Sequence, residues 1–85
     1  PVLRAKRRGL LRNVCVALGN WGAAEAVEPL AATLLHEDEP LIRGHAAWAL
    51  GEIGTNAAQR ALHAAINEQD EMVRAEIARA AARFS

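Results

Sequence analysis

The block Ala17-Leu18-Gly19-x-x-Gly22 returns as Ala49-Leu50-Gly51-x-x-Gly54, a period of 32. Around it the match widens, so that LLRNVCVALGNWGAAEAVEPLAATLL aligns with LIRGHAAWALGEIGTNAAQRALHAAI. A third, shorter copy begins MVRAEIARAAARF, where Arg43 recurs as Arg74, a spacing of 31. Self-similarity at this period marks a helical solenoid. One helical hairpin cannot bury its own apolar face, but stacked neighbours bury a continuous core.

Local chemistry sets the helix boundaries. Pro40 after HEDE suits a first helical position, with Asp38 or Glu39 near the cap. Gly51 and Gly54 suit a helix end that needs a left-handed residue. Thr55-Asn56 can cap the next helix. Five helices follow, at about 4–18, 24–35, 40–51, 56–67 and 71–84. Leu10, Leu11, Val14 and Leu18 predict the apolar arc of the first helix, and Leu41, Ala46, Ala49, Leu50 and Ile53 that of the third. Val27, Leu30, Leu34, Leu62 and Ile66 supply the partner helices. Arg7 falls inside the first arc, which implies a snorkelling side chain or a later helix start.

Composition agrees with this reading. The chain is 52% hydrophobic but only 4% aromatic, and alanine dominates. Alanine is the best helix former and lets helices approach closely, while strands lack β-branched and aromatic residues. Eighty-five residues make a single domain, spanning 1–85. The abrupt start at Pro1, inside helical pattern, implies a fragment of a longer protein. The single cysteine, Cys15, cannot form an internal disulfide or ligate a zinc or iron–sulfur centre alone. It reads as a buried, inert thiol. No apolar run is long enough to span a membrane and no signal peptide is visible, so a cytoplasmic location and a monomer are expected.

Charge is segregated. Residues 1–24 carry five basic and no acidic groups; residues 25–85 carry five basic and ten acidic ones. The net charge of zero therefore hides a strong dipole. Arg4, Arg8 and Arg12 are spaced by four and form one stripe spanning about 80° on a helix. Such a stripe can hold a phosphate backbone through counterion release and planar guanidinium forks. The alternative is a solvated helix end.

Other residues carry weaker signals. Arg43 and Arg74 sit in first helical turns, where a cation is mildly unfavourable, so acidic partners such as Asp38 and Asp70 are expected. His45 and Trp48 share a helix face and can meet an unpaired base, although a Trp filling space left by alanines is the competing reading. Trp21 reads as a turn plug. His36, His45 and His63 lie on different elements, so no metal site is expected. No catalytic residue stands out.

RRGLLRNVCVALGNWG followed by EPLIRGHAAWALGEIG resembles the C-terminal region of bacterial epoxyqueuosine reductase, over roughly residues 4–80. The A-L-G-x-I-G element alone is similar to any HEAT-like repeat, including those of phycobilin lyases. The resemblance implies an all-α, HEAT-like (PBS-lyase-type) solenoid of about five helices in two and a half repeats. It implies a parent enzyme that reduces epoxyqueuosine to queuosine in tRNA, using cobalamin and two iron–sulfur clusters held by an N-terminal catalytic part. The cysteine-rich cluster motifs are missing from this chain, so those cofactors are expected in the parent alone. The implied role is to hold the tRNA anticodon stem-loop, with the basic segment as phosphate contact. The implied site comprises Arg4, Lys6, Arg8, Arg12, Asn13, Arg43, His45 and Trp48. A protein-interaction scaffold, or a dock for the catalytic part, is the alternative.

Overall fold

The structure, a computed structural model, describes residues 2–84. Five α-helices follow one another: α1 (Val2–Trp21), α2 (Val27–His36), α3 (Pro40–Ile53), α4 (Asn56–Ala64) and α5 (Glu71–Ala82). One 3-10 turn, Ala24–Ala26, leads into α2. No strand occurs among the described residues. The all-α repeat architecture expected from the sequence is the one observed.

The helix ends obey the chemistry that predicts them. Pro40 opens α3 after an extended Glu39. The Thr55 hydroxyl accepts a hydrogen bond from the Ala58 amide at 3.1 Å, and the Asp70 carboxylate accepts one from Val73 at 3.1 Å. These side chains satisfy amide donors that a helix start leaves unpaired. Gly22 and Gly54 adopt φ of 73° and 71°, the left-handed conformation that glycine reaches without steric cost. The second glycine of each A-L-G-x-x-G block thus ends its helix.

The first glycine does something else. A Cβ on Gly19 would lie 2.8 Å from Trp48 Cζ3 and 3.0 Å from Ala49 Cα. One on Gly51 would lie 2.9 Å from Ala80 Cβ and 3.1 Å from Ala80 Cα. These glycines let α3 press against α1 on one side and α5 on the other, the two most extensive helix contacts in the fold. Helices α2 and α4 form the second layer, α2 packing mainly on α3. Central α3 is therefore enclosed: Ile42, Ala46, Ala47, Ala49 and Leu50 are fully buried. Leu30, Leu34, Leu62 and Val73 complete the core. Each such Leu, Ile or Val contributes about 1.5–3 kcal/mol on burial.

Several expectations need correction. Helix α1 begins before Arg4 and runs on to Trp21, so a later start does not explain Arg7. Its inward face is Leu11, Cys15, Leu18 and Gly19. Leu10 and Val14, expected in the apolar arc, are 65% and 43% exposed. Trp21 is no turn plug; it is 62% exposed. Helix α4 ends at Ala64, leaving Ile66 in the following turn, exposed. The sequence pattern shows which residues are apolar, but an end helix of a stack covers one side only.

The glycines yield a test. Gly9 lies mid-helix, with nothing within 4 Å of where a Cβ would stand. Gly9→Ala is expected to raise stability by about 0.5–1 kcal/mol through helix propensity. Gly51→Ala gains the same propensity but meets Ala80 backbone, so a net loss of about 1–2 kcal/mol is expected. Thermal melts of the two variants check the opposite signs.

Candidate nucleic-acid interface

Helices α1, α3 and α5 lie side by side, and three of the predicted site residues meet where α1 adjoins α3. Arg12 Nε donates to His45 Nε2 at 3.2 Å. His45 Nδ1 lies 2.8 Å from the Leu41 carbonyl oxygen. A carbonyl only accepts, so Nδ1 carries the proton and Nε2 is left to accept from Arg12. Trp48 is half-buried one turn further along α3, its ring in the notch left by Gly19. The space-filling role and an exposed ring edge coexist in this one side chain.

Beside it runs a shallow groove lined by Val16, Leu41, Gly44, Trp48 and Met72, with His45 at its rim. A second cleft joins Trp48 to Glu76, Arg79, Ala80 and Arg83 of the α5 end. Sequence reasoning missed Arg79 and Arg83. The repeat register held the signal, because one repeat past Trp48 stands Arg79 and one repeat past Glu52 stands Arg83. Arg83 pairs with Glu52 and Arg79 with Glu76. Both arginines are at least half exposed, so these pairs hold their partners weakly.

The basic stretch of α1 divides three ways. Arg8 Nε donates to the Glu39 carboxylate, and Arg7 donates to Glu37 at 2.7 and 3.3 Å. Arg7 therefore neither snorkels nor marks a helix start; it ties α1 to the loop before α3. Arg4 faces the same cleft as Arg8, along with Asp38 and Pro40. Among the described residues, Arg4, Lys6 and Arg12 form no ion pair. Lys6 and Asn13 are exposed. At about 100° per residue they lie roughly 180–200° around the helix from Arg4, so they do not join the Arg4, Arg8, Arg12 stripe.

Arg43 is turned to structural use. Its Nε and Nη2 donate to both oxygens of Glu68 at 2.9 and 3.0 Å. Its Nη1 donates to the carbonyls of Glu37 and Asp38 at 2.8 and 2.9 Å. The partner is thus Glu68, not the expected Asp38 or Asp70 carboxylate. Asp38 offers its backbone, and Asp70 is occupied in capping α5. Glu68 also accepts from the Asp70 amide at 2.9 Å, as Glu37 does from the Glu39 amide at 3.1 Å. Both inter-repeat loops use the same clasp, one repeat apart. Arg74, the next in register, forms no ion pair among the described residues and is exposed.

These contacts shift ionisation. Hydrogen bonding from Arg43 holds the Glu68 carboxyl below the usual carboxylate range. Hydrogen bonding from Arg7 does the same to Glu37. Burial pushes the Cys15 thiol up. A buried, protonated thiol standing alone does not fit an iron–sulfur cluster, which takes several thiolate ligands. Among the described residues no group of three His, Cys, Asp or Glu side chains is arranged for a metal. No described helix is long and apolar enough to cross a membrane.

The HEAT repeats family matches residues 2–83. The chain is 40% identical over 73 residues to epoxyqueuosine reductase of Bacillus subtilis, covering 84% of this chain and 19% of the relative. It is 37% identical over 68 residues to epoxyqueuosine reductase of Bacillus cereus, covering 79% and 18%. A solved structure of epoxyqueuosine reductase from Bacillus subtilis superposes with a TM-score of 0.80 at 35% identity, over 87% of this chain and 20% of that one. The chain spans about a fifth of the length of these relatives. The resemblance read from the two repeat strings is borne out.

The clasp gives a stability prediction. Glu68 is 7% and Arg43 16% exposed. Removing one partner of such a pair leaves a poorly solvated charge, so Arg43→Ala is expected to cost about 2–3 kcal/mol. Because the folded carboxyl is held low, its contribution is present above the unfolded value of about 4.3 and fades as pH falls through the folded value. Glu68→Gln is expected to flatten the fall in melting temperature below about pH 4. An equally steep acid limb in that variant contradicts the assignment.

Proposed function

The chain belongs to the HEAT-repeat family, and we propose that it serves as a tRNA-recognition domain of the epoxyqueuosine reductase type, holding the anticodon stem-loop. The observation that carries this reading is the row Arg12, His45, Trp48, with uncompensated Arg4 further along α1. The row combines a guanidinium without a carboxylate partner, a polar ring and an indole. That is the set that takes a phosphate and an unstacked base together. Likeness to epoxyqueuosine reductases supplies the substrate class. Reduction of epoxyqueuosine, with cobalamin and iron–sulfur chemistry, belongs in this proposal to parts of the larger protein outside these 85 residues. The proposed setting is cytoplasmic.

Within the proposal the residues take graded roles. Arg4 and Arg12 contact phosphate directly. Arg8 contributes by exchanging Glu39 for phosphate, at some cost to its own pair. His45 holds Arg12 at the rim of the groove, and Trp48 stacks on a loop base. Arg43 acts indirectly, by fixing the loop that leads into α3. Lys6 and Asn13, on the other side of α1, contribute only long-range attraction.

The apolar groove beside Trp48 favours one other reading, a seat for a peptide or partner domain. Salt separates the two. An anticodon stem-loop titrated across a salt series is expected to show log affinity falling with log salt at a slope of about −2 to −3, if three arginines each neutralise one phosphate. Arg12→Glu is expected to weaken binding roughly tenfold and to reduce the slope by about 1. Lys6→Glu is expected to have the smaller effect. Absence of salt-dependent binding, or equal effects at Lys6 and Arg12, contradicts the RNA reading.

A further inference from the structure

The open face of α1 repeats a face that the fold buries twice elsewhere. Stepping one repeat and then a second from Leu10, Val14, Ala17 and Trp21 gives Ile42, Ala46, Ala49 and Ile53, then Val73, Ile77, Ala80 and Phe84. In α3 and in the α5 region every one of these residues is in the core or packed against it. In α1 the same register positions are exposed, Leu10 by 65% and Trp21 by 62%. Neighbouring Leu3 is 80% exposed. A small monomer rarely leaves such a stripe open without a use for it.

The opposite end of the stack shows the matching surface. Helix α3 receives α5 at Gly44, where Met72 comes to lie, and at Gly51, which meets Ala80. Buried Ala47 stands between them on the same helix. The equivalents of Gly44, Ala47 and Gly51 one repeat on are Ala75, Ala78 and Ala82, all exposed on α5. Small residues there allow the same close approach.

Charge agrees with the fit. In register, the contact between Arg8 of α1 and Glu39 of α3 becomes, at a junction of two copies, Asp70 of one copy against Arg8 of the next. The basic end of one molecule would meet the acidic loop of another, which includes Asp70 and Glu71.

We propose that the occupant of the α1 face is the α5 face of a second copy of this chain, stacked head to tail so that the row α1–α3–α5 continues from one molecule into the next. The interface repeats the α1–α3 and α3–α5 contacts already present in the fold. It is heterologous and does not close, so copies add in a chain. This sets aside the monomer expected from the sequence and does not rest on the RNA reading.

The test uses the intact chain. Sedimentation equilibrium from micromolar to millimolar concentration is expected to show the weight-average mass rising beyond twice that of one chain. Leu10→Glu blocks one end and Ala78→Glu the other; both sites are exposed, and circular dichroism verifies that each variant keeps its helices. Each variant alone is expected to remain monomeric. Their equimolar mixture is expected to form a one-to-one dimer and nothing larger, because one open end of each remains. A wild-type chain that stays monomeric throughout overturns the proposal. So does a closed dimer that Leu10→Glu abolishes and Ala78→Glu leaves intact, which would place α1 against α1.

Discussion

The close approach of three helices at Gly19 and Gly51 governs the rest of this molecule. Without side chains at those two points, α3 can touch both flanking helices along its length, and its alanines fill the narrow space that remains. That geometry explains why so alanine-rich a chain has a core at all. It also explains why Trp48 sits where it does. The ring is held in the notch opposite Gly19, with one edge left at the surface beside His45. An interface built on α3 is therefore carried by the most enclosed element of the fold, and a ligand there meets side chains whose positions are fixed by packing.

Electrostatics then sorts the arginines into two classes. Arg43 is consumed by structure, its three donor nitrogens spread over two loops, and Arg7 repeats the same task one unit earlier. Arg8 is partly committed to Glu39. Arg4 and Arg12 remain without carboxylates, and Arg12 is aimed by a neutral imidazole rather than neutralised by an anion. The dipole of the chain is thus smaller in practice than a count of charges implies. What survives is placed along one edge of the α1–α3 junction. Fixing the loops with one set of arginines is what leaves a second set available to an outside partner.

Much of the architecture is legible in the amino-acid order. The two A-L-G-x-x-G blocks set the period. Pro40, Thr55 and Gly54 mark boundaries closely, because capping is chemistry local to a few neighbours. Burial is harder to read. Leu10 and Val14 resemble core residues because their type and spacing match the inward positions of α3, yet α1 has a neighbour on one side only. Ile66 departs from expectation for a related reason, since α4 stops before reaching it. The partner of Arg43 has to be chosen among acidic residues that are near in sequence to the same loops; only the fold shows that Glu68, and not Asp38 or Asp70, faces it. The site is half legible. Arg12, His45 and Trp48 do converge, whereas Lys6 and Asn13 share a stretch of sequence with the stripe but not a face. Arg79 and Arg83 become visible only when the repeat register is extended into the third copy.

The central claim is that a polyanion binds where α1 meets α3, and amide and indole NMR shifts on adding an anticodon stem-loop test it most directly. The account predicts that perturbations centre on Arg12, His45 and the Trp48 indole N–H, reach Arg4, and spare Lys6 and Asn13. Shifts centred on Lys6, Asn13 and Trp21, with Trp48 unmoved, would contradict it.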